Sequence, residues 1–117
     1  MDTLLIVDAA NVVGSVPDGW WRNRAAATRR LRDRLVEKSR SADVILVVEG
    51  QARDVRGIAG VRVVAAPGSG DDTIVDLVRS EQDAYPDVYV VTADRELRRR
   101  VEELGAGVLG PGWLTRG

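Results

Sequence analysis

Neither cysteine nor histidine occurs in the 117-residue sequence. Without cysteine there is no disulfide framework and no thiolate site, and without histidine no imidazole can act as base, nucleophile or zinc ligand. Any chemistry must rest on carboxylates, hydroxyls, amides and arginines. No apolar run approaches the ~20 residues of a membrane-spanning helix, and the opening Met1-Asp2-Thr3-Leu4 has no basic region ahead of its short apolar run. The expectation is a cytoplasmic protein, neither membrane-embedded nor made as a secreted precursor. Charge of one sign is lacking too, with 17 basic residues against 18 acidic ones. No strong net field therefore points to nucleic acid or an anionic surface, and the placement of charge says more than its sum. All the basic residues except Lys38 are arginine. That excess fits a coding bias, and it also supplies planar guanidinium forks suited to phosphate.

What is present fits one compact domain over residues 1–117, at 44% apolar and 30% charged content. Leu4-Leu5-Ile6-Val7 is wholly apolar and ends at Asp8, the pattern of a strand buried on both faces of a parallel sheet. Asn11 to Gly19 has loop composition. From about Trp20 to Arg40 the spacing predicts a helix, with Ala27, Thr28, Leu31 and Leu35 on one face and Arg22, Arg29, Arg32 and Arg40 on the other. Val44–Val48 is a second apolar strand ending at Glu49-Gly50, and Gln51 to Gly60 reads as a loop or short helical turn. Val61–Ala65 is a third strand whose alternation places it near an edge. Pro67-Gly68-Ser69-Gly70 leads into Asp71-Asp72 and a helix to about Asp83. Val88–Val91 is the fourth strand, closing on Thr92-Ala93-Asp94; a helix marked by Leu97, Val101 and Leu104 follows and stops at Gly105. Gly107-Val108-Leu109 is a last short strand. Strands alternating with helices imply parallel pairing through right-handed crossovers, hence a three-layer α/β, Rossmann-like sheet.

Ligands of such a sheet collect at the carboxyl ends of its strands, where the strand order reverses. Asp8, Glu49 and Asp94 stand at those ends, and Asp71 opens a helix on the same side. Asp71 and Asp94 each also read as helix N-caps. Asp8 is harder to explain structurally, because a carboxylate directly after a buried strand is costly unless it is paired or metal-bound. Asn11 adds an amide to the same loop. Carboxylates gathered without a cation repel one another, and a hard divalent ion relieves this. Oxygen ligands alone favour Mg2+ or Mn2+, which also bind substrate phosphate. Metal-assisted hydrolysis of a phosphodiester needs no histidine.

Three segments, Leu5-Ile6-Val7-Asp8-Ala9-Ala10-Asn11-Val12, Gly70-Asp71-Asp72-Thr73-Ile74 and Val90-Val91-Thr92-Ala93-Asp94-Arg95-Glu96-Leu97, resemble the NYN branch of the PIN-like ribonuclease superfamily. The likeness is closest to its small bacterial YacP-like members and spans nearly the whole chain. It implies a PIN-like sheet with strand order 3-2-1-4-5 and a metal-dependent ribonuclease in which Asp8, Asp71 and Asp94 hold the ion. Asp72, beside Asp71, is an alternative ligand. Asn11 matches the amide of the D-x-x-N element and Thr92 the hydroxyl of the T-x-D element. The sequence departs from the pattern at Ala9-Ala10, where Gly-Tyr is usual, and at Glu49-Gly50-Gln51, where Asp-Gly is common; Glu49 is an outer-shell acid in this reading.

Arg95, Arg98 and Arg99 share a face that either grips the backbone of single-stranded RNA or is simply solvated. Trp20 and Trp21 read as packing at a helix start, with stacking on an unpaired base as the functional alternative, and Trp113 reads as packing alone. Gly68-Ser69-Gly70 lacks the lysine and spacing of a P-loop. A haloacid-dehalogenase-type phosphatase needs an Asp where Ala10 stands, and a receiver domain needs a Lys after its last strand, whereas Lys38 is the sole lysine. The remaining rival is a non-catalytic PIN-like module that binds RNA or a protein partner.

Overall fold

The computed structural model describes residues 1–16 and 19–115, with backbone alone for Thr115. Five strands, β1 (Thr3–Asp8), β2 (Asp43–Val48), β3 (Val61–Ala65), β4 (Asp87–Val91) and β5 (Gly107–Leu109), form one sheet in the order β3-β2-β1-β4-β5. Every neighbouring pair is parallel. This is the expected three-layer α/β fold, with β1 central and the short fifth strand paired at an edge.

Among the described residues the α-helices are α1 (Ala9–Gly14), α2 (Arg24–Leu35), α3 (Gly70–Glu81), α4 (Arg95–Glu103) and α5 (Gly112–Thr115). Alternation along β1 sends Leu5 and Val7 to one face, where they pack with Val12, Leu31 and Leu35 of α1 and α2. Leu4 and Ile6 go to the other face, against Ile74 and Val78 of α3 and Leu97 and Val101 of α4. Both faces of the central strands are thus buried, which is why β1 and β2 read as unbroken apolar runs.

Four expectations about local structure are corrected. The segment after Asp8 begins as helix α1, and not as loop, because the Asp8 carboxylate accepts from the Asn11 backbone N–H while Val12 and Val13 turn inward to the core. Pro17 and Asp18 of the expected loop lie outside the described residues. The long helix from Trp20 to Arg40 is broken into a 3-10 turn at Trp20–Arg22, α2, and another 3-10 turn at Lys38–Arg40. Asn23 breaks it at the front by capping α2 through Ala26 N–H at 2.9 Å. Near its end the Ser39 hydroxyl donates to the Val36 carbonyl, a local bond that competes with helix continuation. On α2 itself, Arg32 leaves the expected solvent face: its guanidinium donates to the Arg56 carbonyl at 2.9 Å and pairs with Asp33 at 3.0 Å. Finally, α3 is capped by Ser69, whose hydroxyl accepts from Asp71 N–H, so Asp71 lies inside the first turn and is not the cap.

Candidate functional site

Asp8 ends the central strand beside the end of β4, at the point where the strand order reverses. Asp8 is buried, at 6% exposed. One oxygen, Oδ2, accepts from the fully buried Thr92 hydroxyl at 2.9 Å, and the other, Oδ1, accepts from Asn11 N–H at 3.4 Å. The same Thr92 Oγ1 accepts from Asp94 N–H at 3.1 Å, and Asn11 Oδ1 accepts from Ala93 N–H at 2.8 Å. Asp94 in turn caps α4 by accepting from Leu97 N–H at 2.9 Å. Asn11 and Thr92 therefore tie the β1–α1 and β4–α4 junctions into one hydrogen-bonded unit.

On the other side of Asp8, Glu49 follows β2, and its Oε2 accepts from the Gly70 N–H at the start of α3. This places the helix carrying Asp71 against the acid rim. Burial pushes the Asp8 carboxyl up to about 6, opposed by its bonds from Thr92 and Asn11 and reinforced by the negative charges of Asp71 and Glu49. Asp71 is raised as well, by partial burial first and then by Asp94 and Glu49, with Arg100 opposing. Asp8 thus feels the charges of Asp71 and Glu49, and Asp71 those of Asp94 and Glu49, so that Asp71 links acids from four chain segments.

Asp72 stands apart, with its side chain 80% exposed and paired with Arg100 at 3.0 Å. Among the arginines that follow Asp94, Arg99 is held by Glu96 and Glu103 on its own helix. Arg95 is exposed and Arg98 half-buried, and neither side chain has an ion pair among the described residues. The cluster's donors, all carboxylate oxygens, suit a hard cation that retains water. Among the described residues no group of three such side chains stands close enough to hold an ion jointly, so the fit rests on donor chemistry and mutual repulsion.

Beside the rim, on the α1 and α2 side of the sheet, lies a cleft of about 310 Å³ lined by Ala10, Trp20, Arg24 and Glu49, among others. Trp20 is half-buried against the core, with the Arg24 guanidinium 5.2 Å from its ring centroid. Trp21 departs from the packing expectation at 58% exposed, and Trp113 does so at 39%, with the Lys38 ammonium 4.3 Å from its ring centroid. The cleft was not legible in the sequence. The one signal for it was the aromatic pair next to an arginine helix.

No family model matches the sequence, and neither does any curated protein. Solved structures do match. Rae1 (YacP) from Bacillus subtilis superposes with a TM-score of 0.83 at 20% identity, over 99% of this chain and 72% of that one. A Rae1 mutant in which a tryptophan is replaced by leucine gives the same TM-score, 0.83, at 22% identity, over 99% of this chain and 74% of that one. The chain therefore carries the fold of Rae1 (YacP).

Proposed function

We propose that this chain is a metal-dependent ribonuclease that hydrolyses phosphodiester bonds of single-stranded RNA, with Asp8, Asp71 and Asp94 holding Mg2+ or Mn2+. The observation that carries the proposal is the buried Asp8 carboxylate at the switch point, whose strongest influences are burial, two hydrogen bonds and two further carboxylates, with no cationic side chain among them. A structural carboxylate in such a place would be paired with a cation or left protonated; one that binds a metal needs this surplus of negative charge. Of the adjacent acids, Asp71 is the better candidate, because it feels Asp94 and Glu49 while Asp72 is solvated and paired with Arg100.

A bound cation would polarise a phosphoryl oxygen and make a bound water more acidic. The chain's own residues do the positioning. Thr92 orients the Asp8 carboxylate by donating to it, and it holds the Asp94 backbone by accepting from it. Asn11 pins the turn between them at Ala93. In this reading Arg95 and Arg98, which carry no ion pair among the described residues, meet phosphates of the RNA backbone.

The test compares the parent with Asp8→Asn, which preserves size while removing the charge. Mn2+ or Mg2+ should raise the parent's melting temperature and leave the variant nearly unmoved, since only binding to the folded state stabilises. RNA cleavage should disappear with the same substitution. Cleavage in excess chelator, or undiminished cleavage by Asp8→Asn and Asp94→Asn, refutes the metal mechanism. Cation binding without cleavage of any RNA would identify the domain as a binding module.

A further inference from the structure

We infer that the cleft between Trp20 and Glu49 is a subsite for one nucleobase of the RNA strand, adjacent to the acid rim. This inference rests on the ribonuclease reading for its substrate and on the cleft for its chemistry. Position comes first: Ala9, the residue after Asp8, lines the cleft, and Glu49 belongs both to its wall and to the acid cluster acting on Asp8. A strand whose phosphate lies at Asp8 therefore has a neighbouring base within reach of the cleft.

Size and lining are consistent with that occupant. At about 310 Å³ the cleft lies at the low end of ligand pockets, suited to a single ring system. Its wall offers the Trp20 indole with Arg24 beside it, a flat aromatic and guanidinium pair of the kind on which unpaired bases stack. Among the described residues the charged side chains of the wall are Arg24 and Glu49. Glu49 spends Oε2 on Gly70 N–H, and among the described residues no bond is made to its Oε1, so it can accept from a ring N–H or exocyclic amino group of the base. Arg24 can donate to a base carbonyl. Ala10 lines the cleft and is exposed, and its methyl group takes up little of that space.

The experiment reads Trp20 directly. In protein carrying Trp21→Phe and Trp113→Phe, Trp20 is the sole tryptophan and its fluorescence reports stacking. The probes are a short single-stranded RNA and the same strand with abasic riboses, titrated in chelator so that no cation contributes. The RNA should quench Trp20, and the abasic strand should bind about tenfold more weakly without quenching. Ala10→Phe, an exposed substitution that adds bulk to the cleft without touching the core, should abolish the quenching while the protein's melting temperature is kept. Equal binding of both strands, absent quenching, or unaltered quenching in Ala10→Phe overturns the subsite. Cleavage assayed in parallel separates the two readings: cleavage without quenching removes the subsite alone, and quenching without cleavage removes the ribonuclease assignment while the base site stands.

Discussion

Asp8 concentrates the energetic conflict of this molecule in one side chain. A carboxyl with an ordinary value of 3.8 is pushed up to about 6 in the folded protein, chiefly by burial. Between these two values the folded state keeps a proton that the unfolded chain has released, so stability falls as pH rises through the window and levels off above it. A shift of this size corresponds to about 3 kcal/mol at most. In chelator, urea midpoints of the parent should therefore decline from pH 4 to pH 6. Asp8→Asn should lose most of that slope, with Asp71, which is also raised, keeping the remainder, and be the more stable protein at pH 7. An Asn variant with the parental slope would mean that Asp8 is not the group responsible. The hydrogen bonds from Thr92 and Asn11 soften the cost without removing it.

At the scale of elements, the helices that bring the acids to the rim differ in how they are started. Helix α3 is capped by Ser69, leaving Asp71 free of backbone duty, whereas α4 is capped by Asp94 itself. Ser69→Ala should cost about 1 kcal/mol of stability and leave cleavage per folded molecule unchanged. Asp94→Asn keeps a good capping group, so its stability should stay within about 0.5 kcal/mol of the parent while cleavage is lost. Denaturant melts paired with an RNA cleavage assay distinguish the two roles. Equal losses of stability and activity in both variants would make Asp94 only a cap. Helix α1 was hidden from periodicity because its six residues complete fewer than two turns. Its start depends on a side chain whose more evident meaning was chemical.

Over the whole molecule the near-zero net charge reflects interspersed charges, and α4 carries Glu96, Glu102 and Glu103 among its arginines. Arginines held by carboxylates on their own helix have little left to offer a phosphate. Arg99 is in that position, held by Glu96 and Glu103, while Arg95 and Arg98 are not. Each phosphate contact on single-stranded RNA adds roughly 0.7 to the slope of log affinity against log salt. Arg95→Ala and Arg98→Ala should each flatten that slope by about this amount, and Arg99→Ala should leave it unchanged. Binding titrations between low and moderate salt measure the difference. An equal effect of all three would show that the ion pairs on α4 open freely, and no effect of any would make the face a solvated surface.

The sequence by itself determined the sheet, its parallel pairing and the rim on which the acids fall. Leu4–Val7 and Val44–Val48 are apolar without alternation, which only a strand buried on both sides tolerates, and each runs directly into an acid. Strand ends are local features, so Asp8, Glu49 and Asp94 could be placed without knowing what packs above them. Tertiary structure alone decided which groups interact. That Glu49 binds the start of α3, that Thr92 bonds to Asp8 and Asp94 at once, and that Arg100 takes Asp72 while Asp71 faces the acids are contacts between segments distant in sequence. The cleft beside Trp20 has the same origin, since it forms where α1 and α2 pack over one sheet face. The break in the long arginine helix is local instead: Asn23 caps α2 and Ser39 bonds to the Val36 carbonyl, and residue types that compete with helix backbone were present in the sequence.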